Sequence, residues 1–260
     1  MKVAVFDSGI GGVTVLRALR EKFPGLDFLY YGDTANVPYG TKSPAQIRRL
    51  GESAATFLKS KGADILVVAC NTAACIAIDE IRRIMGPVPV FGVVEAGVEA
   101  TAIAIESAAQ PDCPILVLGT RATIRSQVYS KMLKMRLGGK ITVLEQECPL
   151  LVPMIEEGWI DHPILRQTVA EYVKPHTSLR PGIALLACTH YPWIKGVFEK
   201  ALPEWLVIES SEAIAAAMGS TVGENHRKTR ESGSLEWQFS DPESVPRFIF
   251  SDNPASTSTP

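Results

Sequence analysis

The chain has 260 residues, of which 46% are hydrophobic and 21% are charged, and its formal net charge is −2. This composition is typical of a globular protein with one large domain or two small ones. No cluster of lysine and arginine stands out, and the net charge is small. The charge distribution therefore argues against nucleic acid or an anionic membrane as the main partner and favours a small-molecule ligand.

The N-terminus carries no targeting pattern. Its first apolar run, residues 3–6, is too short for a signal peptide, and no later stretch reaches the roughly 18 apolar residues of a membrane span. We therefore expect a cytoplasmic protein. The five cysteines are an odd number and include no CxxC pair, so we expect neither disulfide bonds nor a zinc site.

Short apolar runs alternate with amphipathic segments along the chain. In the first half they predict a strand at 3–6, a turn at 7–12, a helix at 13–22, a strand at 26–31, a helix at 43–59, a strand at 65–69, a helix at 73–85 and a strand at 88–94. In the second half they predict strands at 115–118, 141–144 and 183–187 and helices at 124–137 and 164–173. Residues 206–209 are then expected to lead back into the first half, followed by a helix at 212–222 and an edge strand at 235–240.

This alternation predicts an α/β fold with two similar domains, each a largely parallel sheet flanked by helices. We expect the first domain to comprise residues 1–97 and 208–252 and the second to comprise residues 98–207. The Pro, Ser and Thr content of residues 253–260 is typical of a disordered tail.

Two stretches of the chain, 65–72 and 183–190, are near copies of each other. Each is an apolar strand that ends in Ala-Cys and continues into small polar residues. Cys70 and Cys188 therefore follow buried strands, at the sheet edge where open α/β folds bind ligands. A helix N-terminus at that edge stabilises a thiolate. If the two halves face each other, one sulfur lies on each side of a bound carbon, as a racemase requires; the alternative for either cysteine alone is a small buried core residue.

Other side chains at the strand ends could assist the thiols. Asp7 is expected on the same edge as Cys70, and His190 lies two residues beyond Cys188, so each could be a proton partner. The alternatives are a helix cap for Asp7 and a loop hydrogen bond for His190. Glu156 is expected near a helix end, where a solvated carboxylate is the default. No zinc-protease motif, nucleophile elbow or Schiff-base lysine is recognisable, so we expect chemistry without a cofactor or metal.

At these residues the chain resembles the glutamate racemases, cofactor-independent enzymes that supply D-glutamate for bacterial peptidoglycan. The resemblance is specific and extends from residue 3 to about residue 250. It is carried by Phe6-Asp7-Ser8-Gly9-Ile10-Gly11-Gly12, Gly32-Asp33-Thr34, Pro38-Tyr39-Gly40, Ala69-Cys70-Asn71-Thr72-Ala73 and Cys188-Thr189-His190-Tyr191-Pro192.

The resemblance implies two pseudo-symmetric domains with the active site in the cleft between them, and a homodimer. It implies that Cys70 deprotonates D-glutamate with help from Asp7, that Cys188 deprotonates L-glutamate with help from His190, and that the carboxylates of Asp33 and Glu156 support the site. The substrate contacts that it implies are Asp7, Ser8, Tyr39, Gly40, Asn71, Thr72, Thr120, Thr189 and His190. Thr120 and Thr123 lie in a loop that matches less closely.

Three other functions remain open at this point. Aspartate racemase is the nearest alternative. A non-catalytic two-domain protein that binds an anionic metabolite would not need two matched thiols. A redox-active thiol protein would be expected to carry a CxxC motif or a nearby resolving cysteine.

Overall fold

The structure is a computed structural model that describes residues 1–108, 112–219, 221–222 and 232–245. Its strands form two sheets. The first sheet contains, in spatial order, β4 (Val90–Gly92), β3 (Ile65–Val68), β1 (Lys2–Asp7), β2 (Asp27–Gly32) and β9 (Leu235–Phe239). The second contains β6 (Val143–Glu147), β5 (Ile115–Gly119), β7 (Ile183–Ala187) and β8 (Leu206–Ile208).

Helices cover these sheets and connect their strands. The helices that belong with the first sheet are α1 (Val13–Lys22), α2 (Pro44–Ser60), α3 (Asn71–Ile76), α4 (Ile78–Met85) and α11 (Ser211–Met218). The helices that belong with the second sheet are α6 (Arg121–Ser126), α7 (Val128–Leu137), α8 (Leu151–Glu156), α9 (Pro163–Val173) and α10 (Lys195–Ala201). The long helix α5 (Val93–Ala108) leads from the first sheet toward the second.

The pairings between described strands are parallel in both sheets. Strands β3, β5 and β7 are buried along their whole length, as expected for strands that are covered on both faces. These observations confirm the predicted α/β class with two parallel-sheet domains, and β9 lies at the sheet edge as predicted.

Two predicted helices are each broken in two. The helix predicted at 73–85 is interrupted at Ala77, which separates α3 from α4. The helix predicted at 124–137 is interrupted at Gln127, whose φ of 55° is left-handed and separates α6 from α7. Apolar periodicity continues across both breaks, so the sequence pattern alone does not reveal them.

Three predicted segments differ in extent or pairing. The strand predicted at 88–94 ends at Gly92 because α5 begins at Val93, and the strand predicted at 141–144 forms at Val143–Glu147. The segment 206–209 first forms β8 beside β7, and the chain then returns through α11, which packs against α1. Helices α5 and α10 were not predicted, and of α8 only an end near Glu156 was expected.

The domain ranges, 1–97 with 208–252 and 98–207, remain a prediction. The strands of the two sheets fall on opposite sides of these limits, except that β8 extends to Ile208. Residues 246–252 and the predicted tail at 253–260 lie outside the described residues. Within the described ranges, no helix combines the length and the apolar character that crossing a membrane requires.

Helix α2 has a strong N-terminal cap, which gives a test of local stability. The Ser43 hydroxyl accepts a hydrogen bond from the Gln46 amide at 3.3 Å, and Gln46 Oε1 accepts one from the Ser43 amide at 3.1 Å. We expect Ser43→Ala to lower the free energy of unfolding by about 0.5–2 kcal/mol, measured by urea denaturation. Ser60→Ala, at the exposed other end of the helix, is the control, and equal losses in both variants would contradict the assignment.

Candidate active site

The candidate site lies where the carboxyl ends of the two sheets face each other. In the first sheet, the chain leaves β1 toward β2 on one side and returns through β3 on the other. In the second sheet, β5 has β6 on one side and β7 on the other. Such switch points open a crevice at the carboxyl ends of parallel strands. The loops after β1, β3, β5 and β7 all contribute to one cavity.

This cavity is very small. Its volume is about 10 Å³, which is space for about one water molecule. The predicted residues that line it are Ser8, Tyr39, Gly40, Cys70, Asn71, Thr72, Thr120, Cys188, Thr189 and His190. Both thiols therefore face the same small space, one from each sheet.

Cys70 is buried at the start of α3, and its Sγ lies 3.4 Å from Ser8 Oγ. Burial, followed by the charge of Asp7, raises the pKa of its thiol to about 12, although hydrogen bonds with Ser8 and the Ala73 amide oppose the rise. The expected stabilisation by the helix N-terminus is thus present but is outweighed by burial. Cys70 is a protonated thiol at neutral pH.

Asp7 connects the two domains. Its Oδ1 accepts a hydrogen bond from Thr189 Oγ1 at 3.1 Å, and its Oδ2 accepts one from the Gly9 amide at 3.1 Å. Burial raises the pKa of this carboxyl group, although the charge of His190 and the hydrogen bonds offset part of the rise. Asp7 lies behind the cavity wall and acts on Cys70 through its charge.

Cys188 belongs to a chain of three polar groups. Its Sγ is 3.9 Å from His190 Nδ1, and His190 Nε2 is 2.5 Å from Glu156 Oε1. Burial lowers the pKa of the imidazole, but the hydrogen bonds and charges of Cys188 and Glu156 outweigh it and raise the pKa well above its usual value. A protonated His190 donates a hydrogen bond to each of these two partners.

Asp33 reaches the cavity through Tyr39. Its carboxylate accepts hydrogen bonds from the Tyr39 hydroxyl at 2.6 Å, from Ser240 Oγ at 2.7 Å and from Asn36 Nδ2 at 3.0 Å. Tyr39 is itself buried and lines the cavity. The structure therefore places Asp33 as a support for Tyr39, while Glu156, at the end of α8 as expected, supports His190.

Three threonine hydroxyls form a cluster across the cleft. Thr72 Oγ1 lies 3.0 Å from Thr120 Oγ1 and 3.1 Å from Thr123 Oγ1, and the last two are 3.0 Å apart. Thr72 lies in the first turn of α3, which follows β3, whereas Thr120 and Thr123 follow β5. Hydroxyl groups that can donate or accept are suited to a carboxylate ligand.

Tyr129 is a site residue that sequence reasoning missed. The Asn71 amide is satisfied at both ends when its nitrogen donates to the Tyr129 hydroxyl at 2.5 Å and its oxygen accepts from the amides of Cys188 and Thr189 at 3.3 Å each. Tyr129 lies inside a predicted helix with nothing in its sequence context to mark it. Val152 also lines the cavity without a sequence signal, whereas Pro38, which lines it too, belongs to the Pro38-Tyr39-Gly40 motif but was not named as a site residue.

Two glycines allow the domains to approach this closely. A Cβ atom on Gly11 would lie 2.5 Å from Thr189 Oγ1 and 2.6 Å from His190 Nδ1, and one on Gly40 would overlap the side chain of Thr120. Any larger residue at either position would push the two loops apart. The glycine-rich loop after β1 is therefore needed for the contact between domains.

The chain is similar to known proteins over most of its length. A glutamate racemase from Aquifex aeolicus is 44% identical over 241 residues, which cover 93% of this chain and 89% of that protein. A crystal structure of glutamate racemase from Campylobacter jejuni superposes with a TM-score of 0.85 at 34% identity, covering 96% of each chain. One from Francisella tularensis in complex with D-glutamate has a TM-score of 0.84 at 32% identity and covers 96% of this chain and 90% of its own.

A family model described as Asp/Glu/Hydantoin racemase matches residues 12–218, which include both thiols and most of the lining of the cavity. That match covers well over half of the chain. This protein therefore belongs to the Asp/Glu/hydantoin racemase family.

Proposed function

We propose that this protein interconverts L-glutamate and D-glutamate by proton transfer between the α-carbon and two thiols, without a cofactor. The observation that carries the proposal is that Cys70 and Cys188, which follow matching strands of two facing sheets, line one small cavity. The relatives named glutamate racemase, at identities up to 44%, support the choice of substrate.

The two thiols have different charge environments, which fits a reaction that starts from L-glutamate. Cys188, which lies beside protonated His190, removes the α-proton from one face. Cys70, whose burial keeps its proton in place, donates that proton to the opposite face. In the reverse direction Cys70, assisted by Asp7, removes the α-proton of D-glutamate, and Cys188 returns one.

The surroundings of the thiols would bind and enclose the substrate. The cluster of Thr72, Thr120 and Thr123 offers hydroxyl donors for carboxylate groups, and Asn71 lines the same cavity. Donors that are already oriented in a dry site stabilise the negative charge that develops when the α-proton leaves. Because the cavity has space for about one water molecule, glutamate enters only when the domains separate.

Asp33 and Glu156 are positioning residues in this proposal. Asp33 orients Tyr39, and Glu156 keeps His190 protonated and directed at Cys188. We also propose that the enzyme acts in the cytoplasm and, as the resemblance implies, that it is a homodimer and supplies D-glutamate for peptidoglycan.

The choice of substrate is tested with the wild-type protein. We expect kcat/KM for glutamate to exceed that for aspartate by about 10–200-fold, the discrimination that one methylene group provides in a shaped site. Chiral chromatography of both amino acids measures it. Faster racemization of aspartate would make the protein an aspartate racemase, and binding of either one without racemization would make it a binding protein.

The two-thiol mechanism is tested by serine substitutions. We expect Cys70→Ser and Cys188→Ser each to lower racemization by about 10²–10⁴-fold, because each removes one proton carrier. In deuterated water, Cys70→Ser should still exchange the α-proton of L-glutamate, and Cys188→Ser that of D-glutamate. Cys113→Ser, a buried thiol outside the cavity, is the control. Unchanged racemization in either active-site variant would contradict the mechanism.

The role of Glu156 is tested through the titration of His190. Removing the carboxylate in Glu156→Gln removes a group that raises the His190 pKa, so the imidazolium should lose its proton at a lower pH. The alkaline limb of the kcat profile should then move to lower pH, and NMR of the imidazole nitrogens should show the same shift. The neighbouring exposed Glu157, changed to Gln, is the control, and an unshifted His190 titration would refute this role.

A further inference from the structure

A second hollow, which we call the outer pocket, lies between the two domains beside the catalytic cavity. Its volume is about 620 Å³. It is lined by the turn at residues 40–44 and parts of α2, α3 and α4 from the first domain and by parts of α6 and α7 from the second. The function proposed above does not use it.

The outer pocket and the catalytic cavity share their walls. Gly40 lines both. Asn71 and Thr72 at the start of α3 face the cavity, whereas Cys75 and Ile76 at its end face the outer pocket. In the same way, Thr120 faces the cavity and the next residues, Arg121 and Ala122, face the outer pocket. The turn that contains Gly40, helix α3 and the start of α6 therefore each extend from the catalytic cavity to the outer pocket.

A narrow contact separates the two spaces. Gly40 lies so close to Thr120 that no Cβ atom fits between them, and Thr120 in turn bonds Thr72 across the cleft. These are contacts between hydroxyl groups and a glycine, without an ion pair or a large apolar side chain. If the domains move apart by a few ångströms, this contact opens and joins the outer pocket to the cavity.

The lining of the outer pocket is positively charged. It contains four cations, Lys42, Arg48, Arg121 and Arg125, and two carboxylates, Asp79 and Glu80. Arg48 pairs with Glu80 at 3.1 Å, and Arg121 and Arg125 both pair with Glu147, so a single carboxylate serves two guanidinium groups. An excess of cations at a mouth raises the local concentration of an anionic ligand.

A larger hollow lies on the side where α5 leads from the first sheet toward the second, and carboxylates outnumber cations in its lining. Its volume is about 870 Å³, and its lining includes the carboxylates Glu95, Glu99, Glu209 and Glu212 against three cations. It shares no lining residue with the catalytic cavity. A dicarboxylate is therefore disfavoured there and has no short path to the thiols.

We propose that the outer pocket is the entrance of the active site, through which an amino-acid dicarboxylate passes the Gly40–Thr120 contact, drawn by the cationic lining around Lys42. This inference rests on the proposed function for the identity of the substrate. It adds Lys42, Arg121 and Arg125 as residues that govern access. They do not touch the reacting atoms.

The charge of the entrance is tested with glutarate, a dicarboxylate without the α-amino group, whose binding involves no chemistry. Line-shape analysis of its proton NMR signals gives association and dissociation rate constants. We expect Lys42→Glu to lower the association rate several-fold at an ionic strength of about 10 mM and much less at about 150 mM, where screening is strong. Lys200→Glu near the end of α10, exposed and outside the outer pocket, is the matched control.

The path itself is tested by narrowing it. Thr41 is exposed and lines the outer pocket, so Thr41→Trp places a large ring in the entrance. An obstructed entrance slows association and dissociation of glutarate by the same factor and leaves Kd unchanged, which a residue with a merely structural role does not do. Thr41→Val is the control for loss of the hydroxyl.

Two outcomes overturn the inference: unchanged association rates in both Lys42→Glu and Thr41→Trp, or an effect on dissociation alone. Lack of saturable glutarate binding by the wild-type protein overturns it as well. A wild-type protein that binds glutarate through this entrance but does not racemize glutamate would instead refute the proposed function and leave the entrance intact.

Discussion

The close approach of two loop layers at the carboxyl ends of the sheets is the constraint on which the rest of the site depends. Without side chains at Gly11 and Gly40, the loops after β5 and β7 can contact those after β1 and β3. That contact brings Thr189 to Asp7 and the amides of Cys188 and Thr189 to Asn71. The thiols share one cavity because backbone, rather than side chain, fills the space between the domains.

Closing the cleft also determines the charges inside it. Removing a thiol and a carboxylate from water disfavours their ionised forms, as the raised pKa values of Cys70 and Asp7 show. Around Cys188 the same burial is countered by His190 and Glu156, whose opposite charges satisfy each other. The cavity therefore has a protonated thiol, that of Cys70, on one side and the imidazolium of His190 beside the thiol on the other side. The two strands match in sequence, but the residues around the two thiols differ.

The sequence predicted the parts of this site that depend on local pattern. The buried runs before Cys70 and Cys188 and the polar residues after them were enough to place both thiols at the mouths of matching strands. The break at Gln127 and the hydrogen bond from Asn71 to Tyr129 were not predictable, because they depend on contacts between residues far apart in the chain. The protonation of Cys70 was missed for a similar reason: its depth of burial is a property of the closed cleft and not of the strand that carries it.

The unlike partners of the two thiols have a thermodynamic consequence for the proposed reaction. Two enantiomers have equal free energy in water, so their equilibrium constant is one and kcat/KM must be identical in both directions. Cys70 lies beside Ser8 and Asp7, and Cys188 lies beside His190 and Glu156. This difference cannot make kcat/KM unequal in the two directions. It can only scale kcat and KM together, so that the enantiomer bound more weakly is also the one turned over faster at saturation.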